Sequence, residues 1–232
     1  EIFYSNSKDM AYAEGNGVAQ ATQKRLKYDE KKLQDSISGV LELKELSDPI
    51  GKVMMHRQLD EGLILKKISV PIGVIGVIFE ARPDCFIQIA SLIIKSGNCA
   101  ILKGGSEAMQ SNLTIAKVLS DAAEAVGIPK GSVQFVDTSD RQAVTDLIHM
   151  NGLVDVVIPR GGAGLIKTVV MNATVPVIET GAGVCHTFID ASADVEMAMK
   201  ICYNAKVQRP SVCNAMETLL VHKDAAEKFM PP

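Results

Sequence analysis

The chain has 232 residues, 47% apolar and 22% charged, a composition that can bury a sizeable core without disulfides and excludes a disordered tail. Lys and Arg number 24 against 27 Asp and Glu, so the net charge of -3 leaves no basic footprint for nucleic acid. No apolar run reaches the roughly 18 residues that cross a bilayer, and no secretory leader is visible, so neither nucleic acid nor a membrane is expected as a partner. The five cysteines, Cys85, Cys99, Cys185, Cys202 and Cys213, are odd in number and form no CxxC pair, the pattern of reduced thiols in a cytoplasmic protein. The basic cluster Lys24, Arg25, Lys27, Lys31 and Lys32 is broken by Asp29 and Glu30 and reads as a solvated helix face.

In chain order, Leu33, Ile37, Val40, Leu41 and Leu43 recur at helical spacing, which predicts a helix over 29–46 starting at Asp29 and a mostly helical N-terminal third. Residues 63–70 suit a strand of mixed exposure, and the denser run 73–79 a strand buried on both faces. There follow a helix over 86–95, a strand over 99–102, a helix over 107–126 and a strand over 133–136. A helix over 141–150, a strand over 154–158, a helix over 165–171 and a strand over 175–178 complete the series. This alternation implies an α/β fold, a parallel sheet with helices on both faces joined by right-handed crossovers. Beyond Gly183 come an apolar stretch over 184–189, a helix over 194–205, the polar loop Gln208-Arg209-Pro210-Ser211, a strand over 217–221 and the opening of another helix. Gly181 and Gly183 among small residues suggest a hinge at 180–183, dividing the chain into residues 1–182 and residues 183–232. Both ends, Glu1 and Pro232, read as cut.

Two loops could carry chemistry. Ile158-Pro159-Arg160-Gly161-Gly162-Ala163-Gly164 and Lys103-Gly104-Gly105-Ser106 each follow a predicted strand, where the carboxyl edge of a parallel sheet takes ligands and glycine lets a phosphate approach a helix N-terminus. Two such loops on one sheet suggest a nucleotide. Neither is GxGxxG or a Walker motif, however, and each could be only a tight turn, with Lys103 a strand-end lysine in water. Cys213 lies in a polar loop four residues after Arg209, a cation that could favour a thiolate; it is a candidate nucleophile or an inert loop thiol. The other four cysteines sit in apolar runs and read as packing residues. His56, His149, His186 and His222 lack metal-ligand spacing, and no metal is expected. Asp137, Asp140, Asp190 and Asp194 fall at expected turns and helix caps.

Three segments, in order, resemble the aldehyde dehydrogenase superfamily. They are Val70-Pro71-Ile72-Gly73-Val74-Ile75-Gly76-Val77-Ile78 with Gly97-Asn98 to Lys103, then Val177-Ile178-Glu179-Thr180-Gly181, then the Cys213 loop. The detail is similar to its γ-glutamyl phosphate reductase (glutamate-5-semialdehyde dehydrogenase) family in Phe79-Glu80-Ala81-Arg82-Pro83, Ile158-Pro159-Arg160-Gly161-Gly162 and Arg209-Pro210-Ser211-Val212-Cys213-Asn214. The resemblance implies a Rossmann-like NADP-binding domain over 1–182, N-terminal helices included, and the beginning of an α/β catalytic domain over 183–232. It implies NADPH-dependent reduction of L-glutamyl 5-phosphate to L-glutamate 5-semialdehyde with release of phosphate, in cytoplasmic proline biosynthesis. A functional link to glutamate 5-kinase and a homo-oligomeric full-length protein go with it.

By the same resemblance Cys213 is the nucleophile that displaces phosphate to form a thioester, its backbone N–H the oxyanion donor, with Asn214 beside it in the catalytic set. Lys103 matches a lysine at the cofactor's adenosine ribose. Ser106 stands where many NAD-preferring members carry a glutamate that would repel a 2'-phosphate. Gly161 and Gly162 are expected over the cofactor pyrophosphate. Glu179 matches the general base of hydrolytic members and is grouped here with the cofactor-binding residues. Arg82 replaces an asparagine near the reacting carbonyl; it and Arg209 are expected to hold the anionic substrate. Another NAD(P)-dependent aldehyde dehydrogenase and an inactive nucleotide-binding α/β fragment are the competing readings. Members of the family are longer than this chain, so an interior piece with an incomplete substrate pocket and little or no turnover is expected.

Overall fold

Val74–Phe79 is the strand around which the larger part of the chain is organised. The computed structural model describes every residue except Ala81, Thr180, Ala182, Ser211, Pro231 and Pro232; Thr180 and Ala182 of the expected hinge, Ala81 of the Phe79–Pro83 motif and Ser211 of the cysteine loop therefore lie outside the described residues. The chain divides into two units, Glu1–Thr180 and Gly181–Pro232.

The first unit opens with helices α1 (Ile2–Gly15), α2 (Gln20–Leu26) and α3 (Glu30–Glu45), then the hairpin β1 (Val53–Asp60) and β2 (Leu63–Ile68). Next come β3 (Val74–Phe79), α4 (Pro83–Lys95), β4 (Cys99–Lys103), a 3-10 turn (Ser106–Ala108), α5 (Met109–Ala125) and β5 (Val133–Phe135). The unit continues through α6 (Gln142–Leu147), β6 (Val156–Arg160) and α7 (Ala163–Asn172). Four strands form one sheet in the order β5-β4-β3-β6, and every pairing is parallel.

The two-residue period of β3 sorts its side chains between two cores. Ile75, Val77 and Phe79 join Phe86, Ile87, Ala90 and Ile93 of α4 and Ile115 of α5 on one face. Ile78 faces the other way, with Val157, Leu147 of α6 and Val169 of α7. Gly76 shares that second face, where a β-carbon would come within 3.3 Å of Val157 and 3.4 Å of Leu147, so the neighbours fill its place. The sheet is thus covered by helices on both faces. Phe86 is fully buried and meets Phe79 edge-on, ring centroids 6.0 Å apart; burying such a ring is worth about 1.5–3 kcal/mol.

Polar side chains fix the entry to β3. Asn98 Oδ1 accepts the N–H groups of Ile72 (2.6 Å) and Gly73 (2.8 Å), and Asp155 Oδ2 accepts that of Val74 (2.7 Å). At the chain's start, Asp9 accepts the N–H groups of Gln110 (3.1 Å) and Ser111 (2.7 Å), capping the first turn of α5 from α1, and Asn6 Nδ2 donates to Ser111 Oγ (3.1 Å).

Several expectations are corrected here. Residues 63–70 form no strand of mixed exposure: β2 is exposed throughout and pairs with β1, equally exposed, an antiparallel partner whose apolar residues Val53, Met54, Met55 and Leu59 show no clean alternation. The basic cluster is not one helix face. Lys24 and Arg25 end α2, Lys27 lies between helices in an ion pair with Asp29 (3.4 Å), and Lys31 and Lys32 belong to α3. Asp29 does cap α3, accepting Lys32 N–H at 3.2 Å, but Ile37, Val40 and Leu41 of its apolar stripe are exposed. Residues 175–178 make a single bridge, Val157 with Val177, not a strand; Pro176 accepts from Val157 N (2.8 Å) and has no N–H of its own to extend the ladder. Arg160, placed by sequence in the glycine loop, ends β6, and α6 is shorter than expected.

The second unit holds β7 (Cys185–Ile189), α8 (Val195–Val207), β8 (Met216–Val221) and α9 (Lys223–Phe229). β7 and β8 pair in parallel, with α8 in the crossover between them. Ile189, Ala198, Cys202, Met216, Ala225 and Phe229 form its core. Asp194 caps α8 through Met197 N (2.8 Å), and Asp190 turns the chain through Ser192 N (3.0 Å), as the spacing predicts. Among the described residues no helix is long and apolar enough to cross a membrane.

Candidate active site

The pairing register brings the carboxyl ends of three strands to one level. Ile78 of β3 stands beside Lys103, the last residue of β4, and Phe79 beside Arg160, the last of β6. The segments leaving this edge carry Glu80 and Arg82, Lys103 to Ser106, and Gly161 and Gly162. Five of the seven unit-one and unit-two side chains and glycines named for cofactor and substrate thus share one sheet edge: Arg82, Lys103, Ser106, Gly161 and Gly162.

Lys103 is 5% exposed, which corrects the alternative of a lysine in water. Its Nζ donates to Gly104 O at 2.8 Å, and burial pulls its pKa below the ordinary 10.5, with Glu107 opposing. A β-carbon on Gly104 would collide with the amide of buried Asn112 and crowd Phe79, so glycine is required there by close approach, whereas one on Gly105 would meet only the movable end of the Glu107 side chain. Ser106 is exposed at the start of the 3-10 turn.

On β6, Gly162 is the N-cap of α7, and its N–H donates to Glu80 Oε2 at 3.0 Å. A β-carbon on Gly161 would stand 2.7 Å from the Glu80 carboxyl carbon. Arg82 is the N-cap of α4, with Pro83 in the first helical turn. Arg82 O accepts the Cys85 N–H at 3.1 Å. Burial, joined by Asp84, pushes the pKa of the Cys85 thiol up, while Arg82 and Arg160 pull it down. Asp84 Oδ1 is buried without a hydrogen-bond partner among the described residues.

Glu179 is exposed, two residues past the Val157–Val177 bridge at the same end of the first unit. In the second unit Cys213 is the one exposed cysteine among the five, all of which are free. Its loop is folded by Val212 N to Arg209 O (3.3 Å) and Ala215 N to Val212 O (3.1 Å). Cys213 O accepts from Cys185 Sγ at 3.5 Å, and a β-carbon on Gly183 would lie 3.1 Å from that same oxygen. Arg209 and Asn214 are exposed on either side. Cys202 is buried, and burial raises its pKa, in keeping with a packing role.

Two residues at the sheet edge escaped the sequence reading. Glu80 stood inside a quoted motif without a role, and only the fold brings it 82 positions along the chain to Gly162. Asn112 is fully buried, and both of its amide atoms lack partners among the described residues. Its trace in the sequence is a polar residue at helical spacing with Ala108 and Ile115, both buried.

A family model described as the aldehyde dehydrogenase family matches residues 21–231. A γ-glutamyl phosphate reductase from Moorella thermoacetica is 50% identical over 230 residues, 99% of this chain and 55% of its own length. The crystal structure of γ-glutamyl phosphate reductase from Thermotoga maritima superposes with a TM-score of 0.89 at 42% identity, covering all of this chain and 56% of that one. The corresponding Saccharomyces cerevisiae structure gives 0.71 at 37% identity, covering 99% of this chain and 56% of that one. The chain therefore spans about half the length of these relatives. With a parallel sheet whose loops carry the resembling motifs, and a family match over nearly its whole length, the chain belongs to the aldehyde dehydrogenase family.

Proposed function

We propose that the chain supplies the cofactor edge and the nucleophile of a γ-glutamyl phosphate reductase, which reduces L-glutamyl 5-phosphate to L-glutamate 5-semialdehyde with release of phosphate. The observation that carries this reading is the gathering of Lys103, Arg82 and the Gly161–Gly162 turn at one carboxyl sheet edge, in a chain half identical to a reductase of that name.

The residues fit a dinucleotide. Gly161 and Gly162 keep side chains away from the α7 N-terminus, and the Gly162 N–H there holds a carboxylate oxygen of Glu80, an anion position suited to a pyrophosphate once Glu80 moves aside. Lys103 offers a cation to the adenosine ribose once its ammonium leaves Gly104 O. The exposed, uncharged Ser106 accepts a 2'-phosphate, which favours NADP over NAD. When bound, NADPH would supply the hydride. Glu179 lines the cofactor side of the site in this reading.

The chemistry of the chain's own residues follows. Cys213 thiolate attacks the acyl carbon of the glutamyl phosphate; the carbon–oxygen bond to phosphate breaks, phosphate departs, and a thioester remains on Sγ. The Cys213 backbone N–H and the neighbouring Asn214 steady the oxyanion. Arg82 and Arg209 hold the substrate's phosphate and carboxylate as charge-assisted hydrogen-bond donors. Cytoplasmic location, a homo-oligomeric assembly and a kinase that phosphorylates glutamate as the supplier of substrate belong to the same reading.

The test runs the reaction backwards on the protein as the cell makes it. With glutamate 5-semialdehyde and NADP, NADPH formation is expected to require inorganic phosphate, to be weaker with NAD, and to disappear in C213S. Equal rates without phosphate would favour a hydrolytic aldehyde dehydrogenase instead.

A further inference from the structure

The N–H that the proposed cofactor site offers to a pyrophosphate already has a partner. Gly162, the N-cap of α7, donates to Glu80 Oε2 at 3.0 Å, and the Glu80 carboxyl group lies over the Gly161–Gly162 turn, 2.7 Å from where a β-carbon on Gly161 would stand. Leu165, one turn into α7, closes the other side of that space at 2.8 Å. A carboxylate thus fills the cradle that glycine keeps open, at the positive end of a ten-residue helix.

A carboxylate and a phosphate cannot share this N–H. Both are anions, they would be within van der Waals contact, and like charges that close repel each other. Glu80 is exposed, so its side chain has room to swing into solvent; Gly161, held between Glu80 and Leu165, does not. We propose that Glu80 is an affinity-determining residue of the nucleotide site: its carboxylate holds the α7 N-terminus in the free protein and must be displaced by the incoming pyrophosphate. The inference rests on the dinucleotide reading above and adds to it a built-in competitor. Binding is weakened by the contact that must be broken, and nucleotide release is assisted when the contact re-forms.

Two variants and two probes test this. Glu80→Gln removes the charge and keeps the shape; Glu80→Ala removes the acceptor altogether. The probes are NADP and adenosine 2'-phosphate, which has no pyrophosphate, titrated calorimetrically into the full chain. NADP is expected to bind both variants about fivefold tighter or more, the size of one charged contact no longer broken on binding. Adenosine 2'-phosphate is expected to bind wild type and variants alike. In parallel, nucleotide-free Glu80→Ala is expected to melt below wild type, having lost the acceptor of the Gly162 N–H, while NADP raises the melting temperature of both variants by more than it raises that of wild type. Unchanged or weaker NADP binding in both variants, with wild type binding normally, overturns the role of Glu80 and leaves the cofactor reading standing. Failure of wild type and variants alike to bind NADP overturns the cofactor reading and this inference with it.

Discussion

Asp155 occupies the space that a side chain on Gly73 would need, and the same carboxylate accepts the N–H of Val74 at 2.7 Å. Gly73 has φ +127°, a conformation closed to other residues, so backbone and neighbour agree on glycine. Together with Asn98, this pair sets the point at which β3 enters the sheet, and hence the level at which Glu80 and Arg82 leave it. Gly73→Ala is expected to cost about 1–3 kcal/mol or more, from strain and the displaced carboxylate, and to lower the midpoint of urea unfolding.

The α1–α5 clamp is a second test of the fold. Asp9 is 3% exposed and caps two N–H groups of α5. Asp9→Ala leaves both without their acceptor in a buried place, so a loss of about 1–2 kcal/mol is expected in the same unfolding assay.

Much of this was legible in the sequence, and the reasons are specific. The residues of β3, β4 and β6 are short, apolar and bounded by glycine, and their helices bury one face each, so period alone revealed a parallel sheet with helices on both sides. The hairpin β1–β2 was half missed because its residues are exposed on both faces, which erases the alternation that marks a strand. The place of Lys103, Gly161 and Gly162 at the carboxyl sheet edge was legible because each directly follows or ends a strand with a clear apolar run. Glu80 was not, since nothing local pairs it with Gly162. Nor was the burial of Lys103, which depends on the packing around a strand end and not on the lysine's neighbours in the chain.

Lys103 gives a pH-dependent signature. Its folded pKa lies below the unfolded value of 10.5 because burial disfavours the charged form. At neutral pH the charge is present in both states and its burial costs stability. As pH rises from the depressed pKa towards 10.5 the unfolded chain binds more protons, so that cost is progressively relieved. Lys103→Met, which has no charge to bury, is therefore expected to compare best with wild type at neutral pH and to lose that advantage as pH approaches 10.5. Urea midpoints of both chains across that range check the sign.

Thiol reactivity separates Cys213 from its fellows. Cys213 is exposed, Cys202 is buried, and burial raises the pKa of both Cys85 and Cys202. Iodoacetamide at neutral pH is expected to modify Cys213 first, with Cys85 and Cys202 catching up only at alkaline pH, as peptide mass spectrometry will record.

The central claim is that Cys213 carries the acyl group. Incubation of the protein as the cell makes it with glutamate 5-semialdehyde and NADP, without phosphate, halts the reaction at the thioester. We expect the Cys213 peptide alone to gain the mass of a γ-glutamyl group, to lose it when phosphate is added, and to show no gain in C213S. A glutamyl adduct on any other cysteine, or none on Cys213 while NADPH forms, would contradict the account.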